Sequence, residues 1–461
     1  MTSPAPADRV YPPTRLCIGY AVGTAGVAIL LNTISVYFPA LMSTVLGISP
    51  AVAATMIMFS KLFDAAANVA VGTLSDRTRS RLGRRRPFLL AGGIVSFASL
   101  LMIFLAPQLS GTMLILYMGV ALMLYSTGYS LFNVPYLAMP AEITRGSKER
   151  LRLISFRTAF VGIGQLTALA LSAWLIERGG GGNDGYRLMG VVMASLALAS
   201  MLGSFFGTAS ARVEQHTGIA QRFTWADIRT VFSNRPLMIL LGAKLSQYCS
   251  FGILQPVTLF FLLNVMSVGF TGMIHQSIVQ NSMVFLSQPI WTRIAARTGK
   301  RNAYLLAQAI MIPAILSWWF VDVTTGLPGI WWRAAMFGFA SGGALLMSTS
   351  MLPDTIEYDR LTTGIERGGL FASLYSVNEK LGFAVGAAIL GVGLSMGGYV
   401  ATTGGKIIAQ SAETVTAIYV IKCVVPAAFL LIGVLLLLRY RLDDVTLNRL
   451  RAAALPAGKA A

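Results

Sequence analysis

Long stretches of this chain carry no Asp, Glu, Lys or Arg, and short clusters of arginine punctuate them. A helix needs about 20 apolar residues to cross the hydrocarbon of a bilayer, so the length of each uncharged run measures the crossings it holds. Residues 16–60, with their continuation to 74, predict two helices that turn near Gly47 and Pro50. Residues 87–141 predict two more, turning near 107–111, while 158–176 and 188–211 predict one each. Residues 245–292 predict a pair that turns near 268–272. The runs 302–321, 334–353, 381–405 and 414–438 predict one apiece, the last interrupted only by Lys422. The expectation is an all-α membrane protein of twelve transmembrane helices.

The polar connections sort by charge. With an even number of crossings both termini lie on one side. On that side fall Arg9 and Arg15, the run Arg77, Arg79, Arg81, Arg84, Arg85 and Arg86, and later clusters such as Arg293, Arg297, Lys300 and Arg301. The opposite connections keep only Arg178, Arg187, Arg333 and Lys406. Positive residues accumulate on the cytoplasmic face, so the chain is read as a multi-pass protein of the inner (plasma) membrane with both termini cytoplasmic. The longest cytoplasmic connection, 212–236, divides an N-terminal six-helix bundle (1–211) from a C-terminal bundle and tail (237–461). Thr224-Trp225-Ala226-Asp227 has the look of a capping box and predicts a short surface helix there. Gly179–Gly182 predicts a flexible external loop.

Composition agrees. The chain is 55% hydrophobic and 12% charged, with a mean hydropathy of +0.68, against roughly 25% charge in soluble domains. The net charge of +18 lies in topological clusters rather than along one polar face, so it does not signal nucleic acid. Cys17, Cys249 and Cys423 are far apart in apolar stretches, and His216 and His275 are isolated, so no metal site and no disulfide framework is expected. The sequence predicts no cofactor: there is no Walker A pattern. The first apolar run is too long for the core of a cleavable signal peptide.

One segment recurs. Ser75-Asp76-Arg77-Thr78-Arg79-Ser80-Arg81-Leu82-Gly83-Arg84-Arg85, after the second helix, meets the segment 291–301 after the eighth at an offset of 216. Arg77 aligns with Arg293, Arg81 with Arg297, Gly83 with Gly299, Arg84 with Lys300 and Arg85 with Arg301. A weaker echo links Pro140 and Ile143 to Pro353 and Ile356. Such a half-chain duplication fits the parallel repeat of major facilitator transporters, whose solute site lies between the halves near the midplane. Gly72, Asp76, Arg77, Arg81 and Gly83 resemble that superfamily's signature loop, which implies a latch on the cytoplasmic side. The simpler alternative is that the arginines only set orientation.

A charge at a helix centre costs about 2.5–3.5 kcal/mol on insertion scales and calls for a partner or a wet cavity. Lys61, Asp64 and Asn68 are spaced three and four apart and share one face of the second helix. They line a solute path, with a cation or proton altering the Lys61–Asp64 pairing, or they form a fixed internal ion pair. Asn133 precedes Pro135, which frees a backbone carbonyl one turn back; it binds solute hydroxyls or patches that break. Arg157 and Lys380, one in each half, are candidate solute contacts; their alternatives are an end anchor and a neutralising partner for Glu379. Gln165 and Asn378 are softer candidates. Lys244 and Lys422 are expected to snorkel and receive no role.

Lys61-Leu62-Phe63-Asp64-Ala65, the basic segment just described, 133–144 with Glu149, Arg150 and Arg157, Pro353-Asp354-Thr355-Ile356-Glu357-Tyr358, and Glu366-Arg367 leading to Lys380 together resemble the glycoside–pentoside–hexuronide cation symporters, typified by melibiose permease. The resemblance covers nearly the whole chain and implies sugar or glycoside uptake driven by sodium or a proton. It implies that Asp64 matches the first of two helix-2 aspartates of the joint cation and sugar site. Asn68 stands at the second and Asn133 at a helix-4 aspartate, while Arg157 and Lys380 match the sugar-site arginine and a helix-11 lysine. Two asparagines remove most of the negative charge that a sodium site needs, so a proton on Asp64 is the favoured partner ion.

The sequence therefore predicts a monomeric secondary transporter in the lipid bilayer that imports a sugar or glycoside by alternating access. The cytoplasmic gate is assigned to Asp76, Arg77, Arg81, Glu142, Arg150, Asp354, Glu357 and Arg367. The alternative is an uncoupled facilitator or exporter of a non-sugar amphiphile. An enzyme would need a catalytic constellation within the spans, and the sequence shows no His cluster and no Ser/His/Asp set there.

Overall fold

The computed structural model describes residues 13–78, 80, 82–144, 147–209, 231–365, 367–442, 446–447 and 449–450. The expected surface helix at 224–227 and Arg81 lie outside the described residues, as does the side chain of Arg150.

Twelve long helices account for the described chain: α1 (Thr14–Val45), α2 (Pro50–Arg77), α3 (Arg86–Phe104), α4 (Gly111–Ile143), α5 (Ser147–Leu166, continued through a π turn at Thr167–Leu171 to Arg178), α6 (Asn183–Gly207), α7 (Arg235–Asn264), α8 (Gly269–Thr298), α9 (Lys300–Phe320), α10 (Gly326–Thr363), α11 (Gly368–Met396) and α12 (Ala412–Leu437). Eleven are long and apolar enough to cross a membrane by themselves. The exception is α8, whose 30 residues reach about 45 Å at 1.5 Å per residue. Its polar side chains Gln276, Ser277, Asn281 and Ser287 are buried, while Ile278, Phe285, Leu286 and Ile290 face outward. Burying polar groups and exposing apolar ones suits a helix bathed in lipid, and this face-by-face inversion lowers its mean hydropathy without barring it from the bilayer.

Several elements outrun their predicted ends. The basic segment after the eighth helix is no loop: α8 runs to Thr298 and only Gly299 (φ +82°) breaks it. Gly83 (φ +90°) plays the same part before α3. Both aligned glycines take a conformation that side chains with a Cβ resist, so the repeat is structural as well as textual. Likewise α10 extends through Asp354 to Thr363, and α11 starts at Gly368, because helices continue past the charges that bounded the uncharged runs. The glycine run 179–182 is a tight helix end, with Gly181 N donating to Ile176 O at 2.8 Å, rather than a loose loop.

Packing divides the chain into two compact units. Unit 1 comprises Met1–Ile34, Phe63–Ser172 and Tyr186–Ile219, and unit 2 comprises Ser35–Leu62, Ala173–Gly185 and Ala220–Ala461. In unit 1 the α3–α4 crossing is so close that a Cβ on Gly92 would meet Phe132 backbone at 2.5 Å. In unit 2 α7 and α11 approach through Gly252 and Gly386. Small residues at crossings allow the van der Waals contact that holds helices together in lipid. Unit 2 also gathers the far ends of α1 and α2. Thr402 N donates to Ser43 O (2.8 Å), Gly404 N to Val45 O (2.9 Å) and Ala51 N to Ser395 Oγ (3.1 Å).

Candidate functional site

In unit 1, α2 places Asp64 inside the bundle at 4% exposure, where it accepts a hydrogen bond from Ser130 Oγ of α4 at 2.7 Å. One turn along, Asn68 is half-buried and its Oδ1 is enclosed with no hydrogen-bond partner. Asn133, on the α4 turn after Ser130, donates to Tyr129 Oη at 3.0 Å. The α2–α4 face thus joins Asp64 to α4 through a hydroxyl, with two amides nearby in sequence. A second cluster surrounds Tyr136. Its ring stacks on Tyr20 at 4.5 Å, and its hydroxyl donates to Tyr20 O at 2.6 Å and shares a hydrogen bond with Thr24. Arg157 of α5 interacts electrostatically with both tyrosines, and its Nε is buried with no hydrogen-bond partner. Gln165 is half-buried two turns further along α5.

In unit 2, Lys61 lines a small pocket between α1, α2, α7 and α11. Ser35 and Gln255 are the other polar lining residues; the rest of the wall is apolar, with Phe260, Phe383 and Leu390 prominent. On α11, Asn378 Nδ2 donates to Leu241 O of α7 at 3.0 Å, and so ties two helices together. Glu379 and Lys380 are half-buried beside it, mid-helix rather than at a helix start.

Lys244 and Lys422 do not snorkel. Each is buried, at 3% and 2% exposure. Lys244 Nζ donates to Gln247 Oε1 (2.7 Å) and Ser348 Oγ (3.2 Å) and lies 4.4 Å from the centre of the Tyr248 ring. Lys422 donates to Thr258 Oγ1 and sits 4.6 Å from the centre of the Trp318 ring. Hydroxyl and amide oxygens and aromatic faces solvate these ammonium groups internally, which removes the need to reach the interface. A sequence scan cannot see this, because Ser348 and Thr258 and the Trp318 ring lie on other helices than the lysines they meet.

The basic segments build matching devices in the two units. In unit 1, Arg85 Nη2 lies 2.8 Å from Asp76 Oδ1 and its Nη1 donates to Ser75 Oγ at 2.7 Å. Its Nε reaches Glu142 Oε1 at 3.0 Å, where Arg84 also pairs. Arg86 donates to Phe205 O near the end of α6 at 3.1 Å. In unit 2, Lys300 pairs with Asp354 at 2.6 Å, and Arg301 donates to Leu437 O and Leu438 O at the end of α12. Each half thus sets a basic residue against an acid that closely follows a proline of its fourth helix, Pro140 or Pro353, and an arginine against the last carbonyls of its sixth, where a helix favours cations.

Of the gate residues, Asp76, Glu142 and Asp354 are thus paired within their own units. Arg367 pairs with Asp359 at 3.3 Å, and Asp359 also accepts from Asn234. Arg77 is exposed and Glu357 half-buried. The sequence reading missed Arg84, Arg85 and Asp359 as partners. The Arg84-Arg85-Arg86 run just ahead of a helix-starting Pro87 was the available signal.

Residues 19–444 match the family described as MFS/sugar transport protein. The chain is 27% identical to the glucuronide carrier protein homolog of Escherichia coli, covering 93% of each chain, and 26% identical to a putative glycoside/cation symporter of the same organism, covering 93% and 92%. It is 24% identical to the isoprimeverose transporter of Lactiplantibacillus pentosus over 92% of this chain and 88% of that one. Among solved structures, a bacterial homolog of the lysosomal transporter Spinster superposes with a TM-score of 0.68 at 15% identity, covering 96% and 99%. That likeness shows the major facilitator fold. The two-unit helical architecture, its repeated basic devices and this match over almost the entire length together place the chain in the MFS/sugar transport protein family, as a multi-pass membrane transporter and not an enzyme.

Proposed function

We propose that the protein imports a sugar or glycoside across the inner membrane in symport with a proton, by alternating access, with both termini in the cytoplasm. Its relatives are named as carriers of glucuronide, glycosides and isoprimeverose. The observation that carries the reading is the unit 1 polar set. A single carboxylate, Asp64, is buried against Ser130, while the groups near it, Asn68 and Asn133, are amides. One carboxylate binds one proton; sodium favours several hard, negatively charged oxygens. Asn68 Oδ1 and Arg157 Nε are enclosed polar atoms with no hydrogen-bond partner. Leaving such groups unmet costs about 1–3 kcal/mol each, and a polyhydroxylated solute offers donors and acceptors to meet them. In unit 1 the assigned solute contacts are Arg157, Asn133, Asp64 and Gln165; in unit 2 they are Lys380 and Asn378. The ion pairs around Glu142 and Asp354 serve the inner gate.

A second reading rests on the unit 2 cavity. Its wall is mostly apolar around Lys61, which suits a non-sugar amphiphile moved without coupling. Thermal stabilisation of purified protein by methyl glucoside, methyl xyloside, methyl glucuronide and the sugar-free amphiphile octanoate, repeated with Arg157→Ala, tests both readings. Stabilisation by a methyl glycoside that Arg157→Ala abolishes supports the proposal. Stabilisation by octanoate alone, unchanged by the substitution, overturns it in favour of the second.

A further inference from the structure

We propose that the outer gate of this carrier is a main-chain clasp, in which the α11–α12 loop closes on the end of α1 and on the turn between α5 and α6. The proposal rests on the alternating access and cytoplasmic termini of the proposed function, which put these ends on the outer side. Its starting point is where the chain changes unit. The first six helices pack mostly in unit 1, but Ser35–Leu62 and Ala173–Gly185 pack in unit 2. Those stretches are the α1–α2 and α5–α6 turns with the helix ends that lead into them.

The α1–α2 turn is held by partners that its own helix ends call for. A helix leaves its last carbonyls and its first N–H groups without partners inside it. The last carbonyls of α1, which closes on a π turn at Leu41–Val45, look outside the helix. Ser43 O accepts from Thr402 N at 2.8 Å, Thr44 O from Gly405 N at 2.9 Å and Val45 O from Gly404 N at 2.9 Å. Leu46 and Thr403 face each other beside them as an antiparallel bridge. At the start of α2, Ala51 N donates to Ser395 Oγ at 3.1 Å, and a Cβ on Gly391 of α11 would meet Pro50 O at 2.7 Å.

The α5–α6 turn meets the same loop backbone on backbone. A Cβ on Gly182 would lie 2.6 Å from Gly404 O, and one on Gly405 would lie 2.5 Å from Gly182 Cα. Two glycine pairs far apart in sequence, at 181–182 and 404–405, therefore serve one contact. Beside it Thr271 Oγ1 of α8 donates to Glu177 at the end of α5.

The bonds between the loop and α1 join neutral amides and carbonyls. Water at the helix ends can replace each of them when the loop withdraws, so opening and closing are nearly balanced. The loop also keeps its shape without α1. The Gln410 side chain bonds to both Val400 N (3.0 Å) and Val400 O (3.2 Å), and Thr402 Oγ1 donates to Lys406 O at 2.7 Å. A pre-shaped strap that makes neutral bonds suits a gate that parts in every cycle, in contrast to the ion pairs assigned to the inner gate.

The test uses full-length protein in lipid nanodiscs, with spin labels on Ser49→Cys and Lys406→Cys, two exposed positions on either side of the clasp. The native cysteines are buried, and labelling of the unsubstituted protein supplies the blank. Pulsed electron resonance should show a short and a long distance. Gly182→Ala, which wedges the contact, should raise the long-to-short ratio by about threefold or more. Gly119→Ala adds the same methyl where nothing lies within 4 Å and should leave the ratio unchanged. A single short distance in every variant, or a shift that Gly119→Ala matches, overturns the proposal. A second variant closes the clasp covalently. Leu46 and Thr403 are a non-hydrogen-bonded pair, whose Cα atoms lie about 4.5 Å apart, within the span of a disulfide. Oxidised Leu46→Cys with Thr403→Cys should lose exchange of labelled for unlabelled methyl glucuronide in proteoliposomes, and dithiothreitol should restore it. Exchange that survives oxidation also overturns the proposal. If the unsubstituted protein exchanges no methyl glycoside, the sugar reading fails, and the distance measurement, which needs no solute, still decides the clasp. Labelling of Lys406→Cys by a membrane-impermeant maleimide only in inverted vesicles would overturn the proposed orientation, and the outer place of the clasp with it.

Discussion

Arg85 holds Glu142 through its Nε at 3.0 Å while its own side chain and that of Glu142 are each only 10% exposed. The same guanidinium reaches Asp76 and Ser75 at the end of α2, so it ties the ends of α2 and α4 together. Arg84 also pairs with Glu142, yet it is 38% exposed. Exposed pairs contribute at most about 1 kcal/mol, whereas removing one partner of an enclosed pair strands the other and costs about 3–5 kcal/mol. Arg85→Ala should therefore lower the thermal midpoint of the purified protein well below that of Arg84→Ala. Equal midpoints for the two variants would show that Arg85 is not the hub.

Lys300–Asp354, the counterpart in unit 2, is more open, at 32% and 18% exposure. A double-mutant cycle with Lys300→Met and Asp354→Asn should return a coupling energy of about 0.5–1 kcal/mol. A value as large as that of the Arg85–Glu142 cycle would contradict the difference in burial seen here.

The repeat, the number of helices and the polar positions of α2, α4 and α5 were legible in the sequence, because each leaves a local mark: an uncharged run, a shared spacing or a proline. Partnerships between helices were not. Lys244 and Lys422 look alike in one dimension to lysines that reach for the interface, and only the positions of Ser348, Thr258 and Trp318 show that they stay inside. The ends of α8 and α10 were misjudged for a related reason. Charge was taken to end a helix, whereas Arg293 and Arg297 of α8 are exposed and Lys300–Asp354 and Arg367–Asp359 satisfy the acids of α10. Asn378 of α11 illustrates the limit: the sequence offers it as a softer solute candidate and gives no sign that its Nδ2 bonds to Leu241 O of α7.

Restoring negative charge should bring back sodium. With Asn68→Asp and Asn133→Asp together, Asp64 would gain two carboxylate neighbours in sequence register, the charge that a hard cation needs. In the unsubstituted protein, exchanging choline chloride for sodium chloride should leave the thermal midpoint unchanged. In the double variant sodium should raise it; saturation at a hundred times the dissociation constant corresponds to about 2.7 kcal/mol. A sodium effect already present before substitution would overturn the proton reading.

Lys422 offers the sharpest test of how the interior treats charge. Its ammonium lies against Trp318 with Thr258 as its acceptor, and no carboxylate is among its described partners. Thr258 does not depend on it, since that hydroxyl donates to Leu254 O at 2.6 Å. Methionine has nearly the same length and volume and keeps contact with the indole ring. Replacing a buried charge by an apolar group of similar shape is often neutral or stabilising by about 1–4 kcal/mol. Lys422→Met should therefore fold with an unchanged or higher thermal midpoint, while Lys422→Ala, which opens a cavity, should lower it. Trp318→Ala should lower it further, because that ring also packs edge-on against Phe261 at 5.6 Å. If Lys422→Met instead falls as far as Lys422→Ala, the ammonium itself holds α12 to its neighbours, and the internal solvation described here is a net stabilising bond rather than a tolerated charge.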